Sequence, residues 1–188
     1  LRELIQRSAA GSVARNPIRT WQMLAGSDEV AYCPFAYGYS NYSREGYAAH
    51  RIQTGGLVGF DGIPLRSTLG GAGLAISRRV RHLEEALAYA KFTASSTTQR
   101  TIYAQSGGQP GHRSAWIDEA LNKSTNNFFK ATLQTLDAAW MRPRWPGFIA
   151  FQDRASQAVH AYLVKGISES KTLDEMNRAL ILTREERR

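Results

Sequence analysis

Cysteine is almost missing from this chain of 188 residues: Cys33 is the only one. That excludes an internal disulfide and any zinc cluster built from thiolates, and it leaves the redox compartment unread. Histidine is scarce too. His50, His82, His112 and His160 show no metal-ligand spacing. No apolar run approaches the roughly 20 residues of a membrane-crossing helix, so the chain is expected not to span a membrane. The opening residues, Leu1 to Arg7, read as an amphipathic helix and lack the three-part pattern of a signal peptide. There is no initiator Met, which leads to the expectation that the sequence begins inside a longer protein.

The signatures of common chemistries are incomplete. Gly70-Gly71-Ala72-Gly73 resembles a dinucleotide loop, but Ile76 stands where the third glycine belongs. No phosphate loop ending in Gly-Lys-Ser/Thr occurs. Gly38-Tyr39-Ser40-Asn41-Tyr42 starts like a nucleophile elbow without its closing glycine, so a hydrolase would need a histidine and an aspartate brought to Ser40 by the fold. A non-enzymatic role without a cofactor is the expectation.

What is present in excess is positive charge, 24 Lys and Arg against 16 Asp and Glu, for a net +8. Such a balance favours anionic partners. The basic residues are dispersed, however, with denser groups only at Arg78-Arg79-Val80-Arg81 and Arg184 to Arg188, the latter mixed with Glu185 and Glu186. Nucleic acid is therefore not the expected partner. A basic nucleic-acid-binding or regulatory domain is the alternative.

Apolar spacing and caps predict a helix-rich chain. Helices are expected over Leu1 to Ala9, from Asn16-Pro17 to Gly26, from Arg78 to Ala94 behind a Ser77 cap, and from Ser95 or Ser96 to Gly107-Gly108. Val80, Leu83, Leu87 and Ala90 mark the core face of the third, with Lys91 at its margin. Further helices are expected from Ser114 to Asn122, Asn126 to Trp140 and Ile149 to Lys165, and a last one opened by the capping box Thr172-Leu-Asp-Glu175. Strands are expected over Glu29 to Phe35, near Gly56 to Phe60 and over Leu74 to Ser77, with a turn at Asp61-Gly62. Helices covering a small sheet make an α/β domain or part of one.

Three segments carry binding chemistry. Tyr37, Tyr39, Tyr42 and Tyr47 lie among Gly and Ser, and tyrosine combines a stacking face with a hydroxyl. They can equally pack along an irregular strand. Gly70 and Gly71 let backbone amides approach a ligand, or form a bulge. Arg142 and Arg144, stiffened by Pro143, can present guanidinium groups beside a stacking Trp145, or anchor a hinge over core aromatics.

The strings TLGGAGLAIS from Thr68, EEALAYAKFTASSTTQ from Glu84, GGQPGHRSAW from Gly107, RPRWPGFIAFQ from Arg142 and TLDEMNRAL from Thr172 occur in an order that resembles the C-terminal half of family 1 extracellular solute-binding proteins. The segment from Met23 to Tyr42 is similar to the part before that family's interlobe crossing. The resemblance implies a type II periplasmic-binding-protein-like α/β fold. Residues 1–68 and 109–188 would belong mainly to the C-terminal lobe, and 69–108 would form a crossover and a helical unit of the other lobe. It further implies capture of a carbohydrate or similar polar solute in an interlobe cleft, for import through an ABC transporter permease. The location would be periplasmic or extracellular, with a lipid anchor allowed. Carried over by position, the contacts fall on Tyr37, Tyr39, Tyr42, Gly70, Gly71, Arg142, Arg144 and Trp145.

Overall fold

The chain is organised by helices, and each begins and ends where its local chemistry dictates. In the computed structural model, which describes residues 1–185, the helices are α1 (Arg2–Gln6), α2 (Pro17–Gly26), α3 (Leu83–Ala94), α4 (Ser96–Thr98), α5 (Arg113–Trp116), α6 (Glu119–Ser124), α7 (Phe128–Asp137), α8 (Phe148–Lys165) and α9 (Glu169–Glu185). A π-helical turn over Gln99–Tyr103 continues α4. The strands β1 (Gly59–Phe60) and β2 (Ile63–Pro64) form one antiparallel pair, Gly59 opposite Pro64 and Phe60 opposite Ile63. Asp61 and Gly62 join them with positive φ at both positions, which is what a two-residue hairpin turn requires.

This architecture corrects the expected type II periplasmic-binding-protein-like α/β fold, and with it the likeness to family 1 solute-binding proteins. The chain is 53% helical with a minimal, unclosed two-stranded sheet, not a mixed sheet flanked by helices in two lobes. The physical reason lies in pairing. Residues 29–35 and 74–77 carry strand-like composition but find no neighbouring ladder and stay irregular. A strand gains its hydrogen bonds only from a partner. Pro34 removes a donor from the first, and the glycines before Leu74 make extension of the second costly in entropy.

The chain divides into two compact units, Leu1–Asn16 with Arg142–Arg188, and Pro17–Met141. In the first, α8 and α9 form a helical hairpin whose turn depends on Gly166 in the left-handed region. Phe148, Ala155, Ala158 and Tyr162 of α8 are buried, as are Thr172, Ala179 and Thr183 of α9. These residues recur every three, four or seven positions and give each helix one inward seam. Helix α9 begins at Glu169, so Thr172 lies inside it and donates to Ser168 O instead of opening a capping box. Arg2 ties α1 to the hairpin. It donates to Tyr162 O and Ile167 O and stacks 4.1 Å over the Tyr162 ring, whose hydroxyl donates to Glu169.

The second unit has two separate cores. One joins Trp21, Leu24 and Ala25 of α2 to Tyr42. The other joins Ala104, Ala115, Trp116, Leu121, Phe128 and Phe129. The segment from Pro110 to Lys130 builds the latter by local rules. Asp118 caps α6 by accepting from Leu121 N at 2.8 Å. Trp116 Nε1 donates to Pro110 O, while Asn122 donates to Trp116 O and accepts from Lys130 N.

Candidate functional site

Helix α3 is well formed and poorly covered. Glu84 and Glu85 lie in its first turn and Lys91 in its last, each matched to the helix dipole. Ser95 then adopts an extended conformation and stops it, and the Ser95 hydroxyl accepts from Thr98 N to start α4. At about 100° per residue, Tyr89, Thr93, Ala86, Ala90, Leu83, Ala94 and Leu87 occupy a continuous arc of about 160°. Only the middle of that arc is used. Ala86, Ala90 and Thr93 are half-buried, and α3 packs against α4 and the π-helical turn. The large residues at the edges of the arc stay in solvent, with Leu83 52%, Leu87 41% and Tyr89 65% exposed. The sequence pattern identifies the apolar side of α3 correctly, but the expected core face is a surface.

Before α3, Ser77 makes a tight turn by accepting from Arg79 N, so the helix starts at Leu83 and not at Arg78. Arg78, Arg79 and Arg81 are exposed around this turn, and no carboxylate among the described residues lies within ion-pair distance of them.

The whole chain shows the same deficit of cover. Its accessible surface is 13,820 Å². A single globule of its mass exposes about 9,000 Å², and two separate globules the size of its units about 10,700 Å² in total. The remaining excess is about 3,000 Å². Phe60 and Ile63 on the hairpin and Ile102 in the π-helical turn contribute to it.

The residues singled out from the sequence fall in both units. Tyr42 is buried, stacks on Trp21 with ring centroids 6.2 Å apart and meets Tyr47 edge-on. Burial foremost, then the neighbouring Tyr47 and Tyr39, raises its hydroxyl pKa. Tyr37 and Tyr39 are exposed, and the Tyr37 carbonyl accepts from Trp21 Nε1. A side chain on Gly70 would meet the Tyr37 ring at 3.5 Å, so these two positions do come together; Gly71 is open to solvent. Arg142, Arg144 and Trp145 lie in the other unit. Arg142 reaches Gln152 at 3.4 Å. The Trp145 ring is half-buried, meets Phe148 and Phe151, and carries Arg184 5.5 Å above it.

A polar junction that the sequence did not signal holds the tyrosine loop in place. Ser40 N donates to Gln109 Oε1, Arg44 Nη2 donates to Ala104 O at 2.7 Å, and Asn41 lies against Gly107. Arg44 thereby places its charge on the carbonyl end of the π-helical run, and burial lowers its pKa. Ser40 is buried, and no hydrogen bond joins it to a histidine among the described residues. His112 and Ser114 form a 2.8 Å hydrogen bond, but the same Nδ1 accepts from Ser114 N and caps α5. A shallow cleft of about 270 Å³ lies between Gln22 of α2 and Tyr47, open to solvent.

No protein-family model matches this sequence, and no curated protein does. The expected capture of a carbohydrate or polyol in an interlobe cleft, and delivery to an ABC transporter permease, are corrected by the mostly helical architecture, which among the described residues lacks the mixed α/β lobes that such capture needs. The alternative of a basic nucleic-acid-binding or regulatory domain gains no support from the structure either. No helix among the described residues is long and apolar enough to cross a membrane.

Proposed function

We propose that this chain is a polypeptide-binding module that performs no covalent chemistry of its own and is completed by another protein surface. One observation carries the reading: about 3,000 Å² more accessible surface than two globules of these sizes expose. An excess of that size exceeds the about 1,000–2,500 Å² that each partner of a lasting protein interface buries, so it leaves room for one. Its composition supports the same reading. Leu83 and Leu87 on one side of the covered strip of α3, and Tyr89 and Phe92 on the other, all stand at least two-fifths exposed, and large bare apolar surface marks sites of interaction.

The test is a photo-crosslinking residue placed at Leu83 in the chain expressed in its native host, with a second placed at Asp153, an exposed position in α8. A discrete heavier adduct from position 83 and none from position 153 is expected. Equal labelling from both positions, or no adduct from either, overturns the reading.

A further inference from the structure

We infer that the Leu83–Leu87 side of α3 docks an amphipathic segment of a partner protein that carries carboxylates beside its apolar face. The inference rests on the polypeptide-binding reading above and names the chemistry of the partner.

Three observations point to an acidic occupant. Leu83 and Leu87 are one helical turn apart on the uncovered edge of the arc, 52% and 41% exposed, so a partner side chain can seat between them. Immediately before α3 in the chain come Arg78, Arg79 and Arg81, all exposed and without an ion-pair partner among the described residues. Arginine offers a planar fork of donors suited to carboxylates. Glu84 lies about 60° round the helix from Leu87 but is offset there by Lys91, about 40° from Leu87; Glu85 lies about 160° from Leu87 and faces His82 at 4.0 Å.

The same charges disfavour the other occupants. A second copy would bring two chains of net charge +8 together and place one arginine group near another. An anionic lipid surface selects helices with Lys and Arg along the polar face. The polar face of α3 carries Glu84 and Glu85 against Lys91 alone.

The experiment measures fluorescence anisotropy of two labelled helical peptides against the full chain: one with Leu on one face and Glu on the other, and its Leu/Lys counterpart. The acidic peptide is expected to bind, and Leu87→Asp to weaken binding about tenfold or more. Arg79→Glu with Arg81→Glu is expected to weaken it by a similar factor, about tenfold, and to flatten its salt dependence. Ile149→Asp, an exposed control on α8, should change nothing. The substituted leucines and arginines lie at the surface, and unchanged circular dichroism confirms an intact fold.

Equal binding of the Leu/Lys peptide overturns the acidic partner. So does failure of both peptides while the crosslink from position 83 persists, and in both cases the polypeptide-binding reading stands. Loss of peptide binding and crosslinking together removes both. Binding to phosphatidylserine vesicles in place of peptide, or self-association abolished by Leu87→Asp, also overturns the inference.

Discussion

Gly147 illustrates how much a single residue can decide. Its φ is +97°, and a Cβ there would lie 2.6 Å from Thr183 O, a backbone atom of the facing helix that cannot swing away. Gly147→Ala must therefore strain the start of α8 and push α9 aside at once. A loss of about 2–4 kcal/mol is expected from the two effects together, read as a fall in the denaturant midpoint. Arg113 and Asp137 give a smaller, pH-dependent effect. The Asp137 oxygens accept from both Arg113 nitrogens, at 2.5 and 2.9 Å. That hydrogen bonding holds the Asp137 carboxyl below its ordinary value of 3.8. A depressed folded-state pKa adds stability above the ordinary value, and the gain is lost as pH falls through the folded-state value. The pair is solvent-exposed, so the gain is small and salt-sensitive. The melting-temperature difference between the native chain and Asp137→Asn is expected to stay level above pH 3.8 and to close below it; a difference unchanged at more acidic pH would contradict the pairing.

At the scale of elements, helices α3 and α7 have similar length but opposite fates. Helix α7 opens with Phe128 and Phe129, at most 1% exposed, packed edge-to-face with rings 5.2 Å apart. Helix α3 has no buried residue. Phe129→Ala is expected to cost about 3–5 kcal/mol, because it removes a full ring and leaves a cavity. Leu87→Asp on α3 is expected to change stability by about 0.5 kcal/mol or less, since its side chain already meets water. Urea denaturation of the two variants checks the contrast; a large loss at Leu87 would mean that α3 is covered within the chain. Caps tell the same story of local control. Ser95 and Asp118 each fix a helix start through one hydrogen bond; the first is the cap the sequence offers, whereas the second divides the helix expected from Ser114 to Asn122 into α5 and α6.

At the scale of the whole molecule, the surface exceeds what compaction leaves behind, and an uncovered helix face is its clearest part. The crosslink from position 83 and the acidic-peptide titration test that property directly, because each measures what occupies the surface. Tyr42 and Trp145 pack against neighbouring aromatic rings, and Tyr37 and Tyr39 stand exposed in a different unit from Arg142.

The sequence by itself determined what depends on near neighbours along the chain. Pro17 and Gly26 bound α2, Asp61-Gly62 turns the hairpin, Ser95 divides two helices, and α8 runs to Lys165 as its spacing predicts. Each rests on contacts within about four residues, where caps, turns and periodicity act. Tertiary structure decided everything that needs a distant partner. Residues 29–35 and 74–77 have the composition of strands but no ladder to join, so the expected mixed sheet does not form. The apolar arc of α3 is legible as a pattern, but a pattern cannot say whether it turns to a core or to another molecule. That depends on what else the chain can bring against it, and here only Ala86, Ala90 and Thr93 find partial cover.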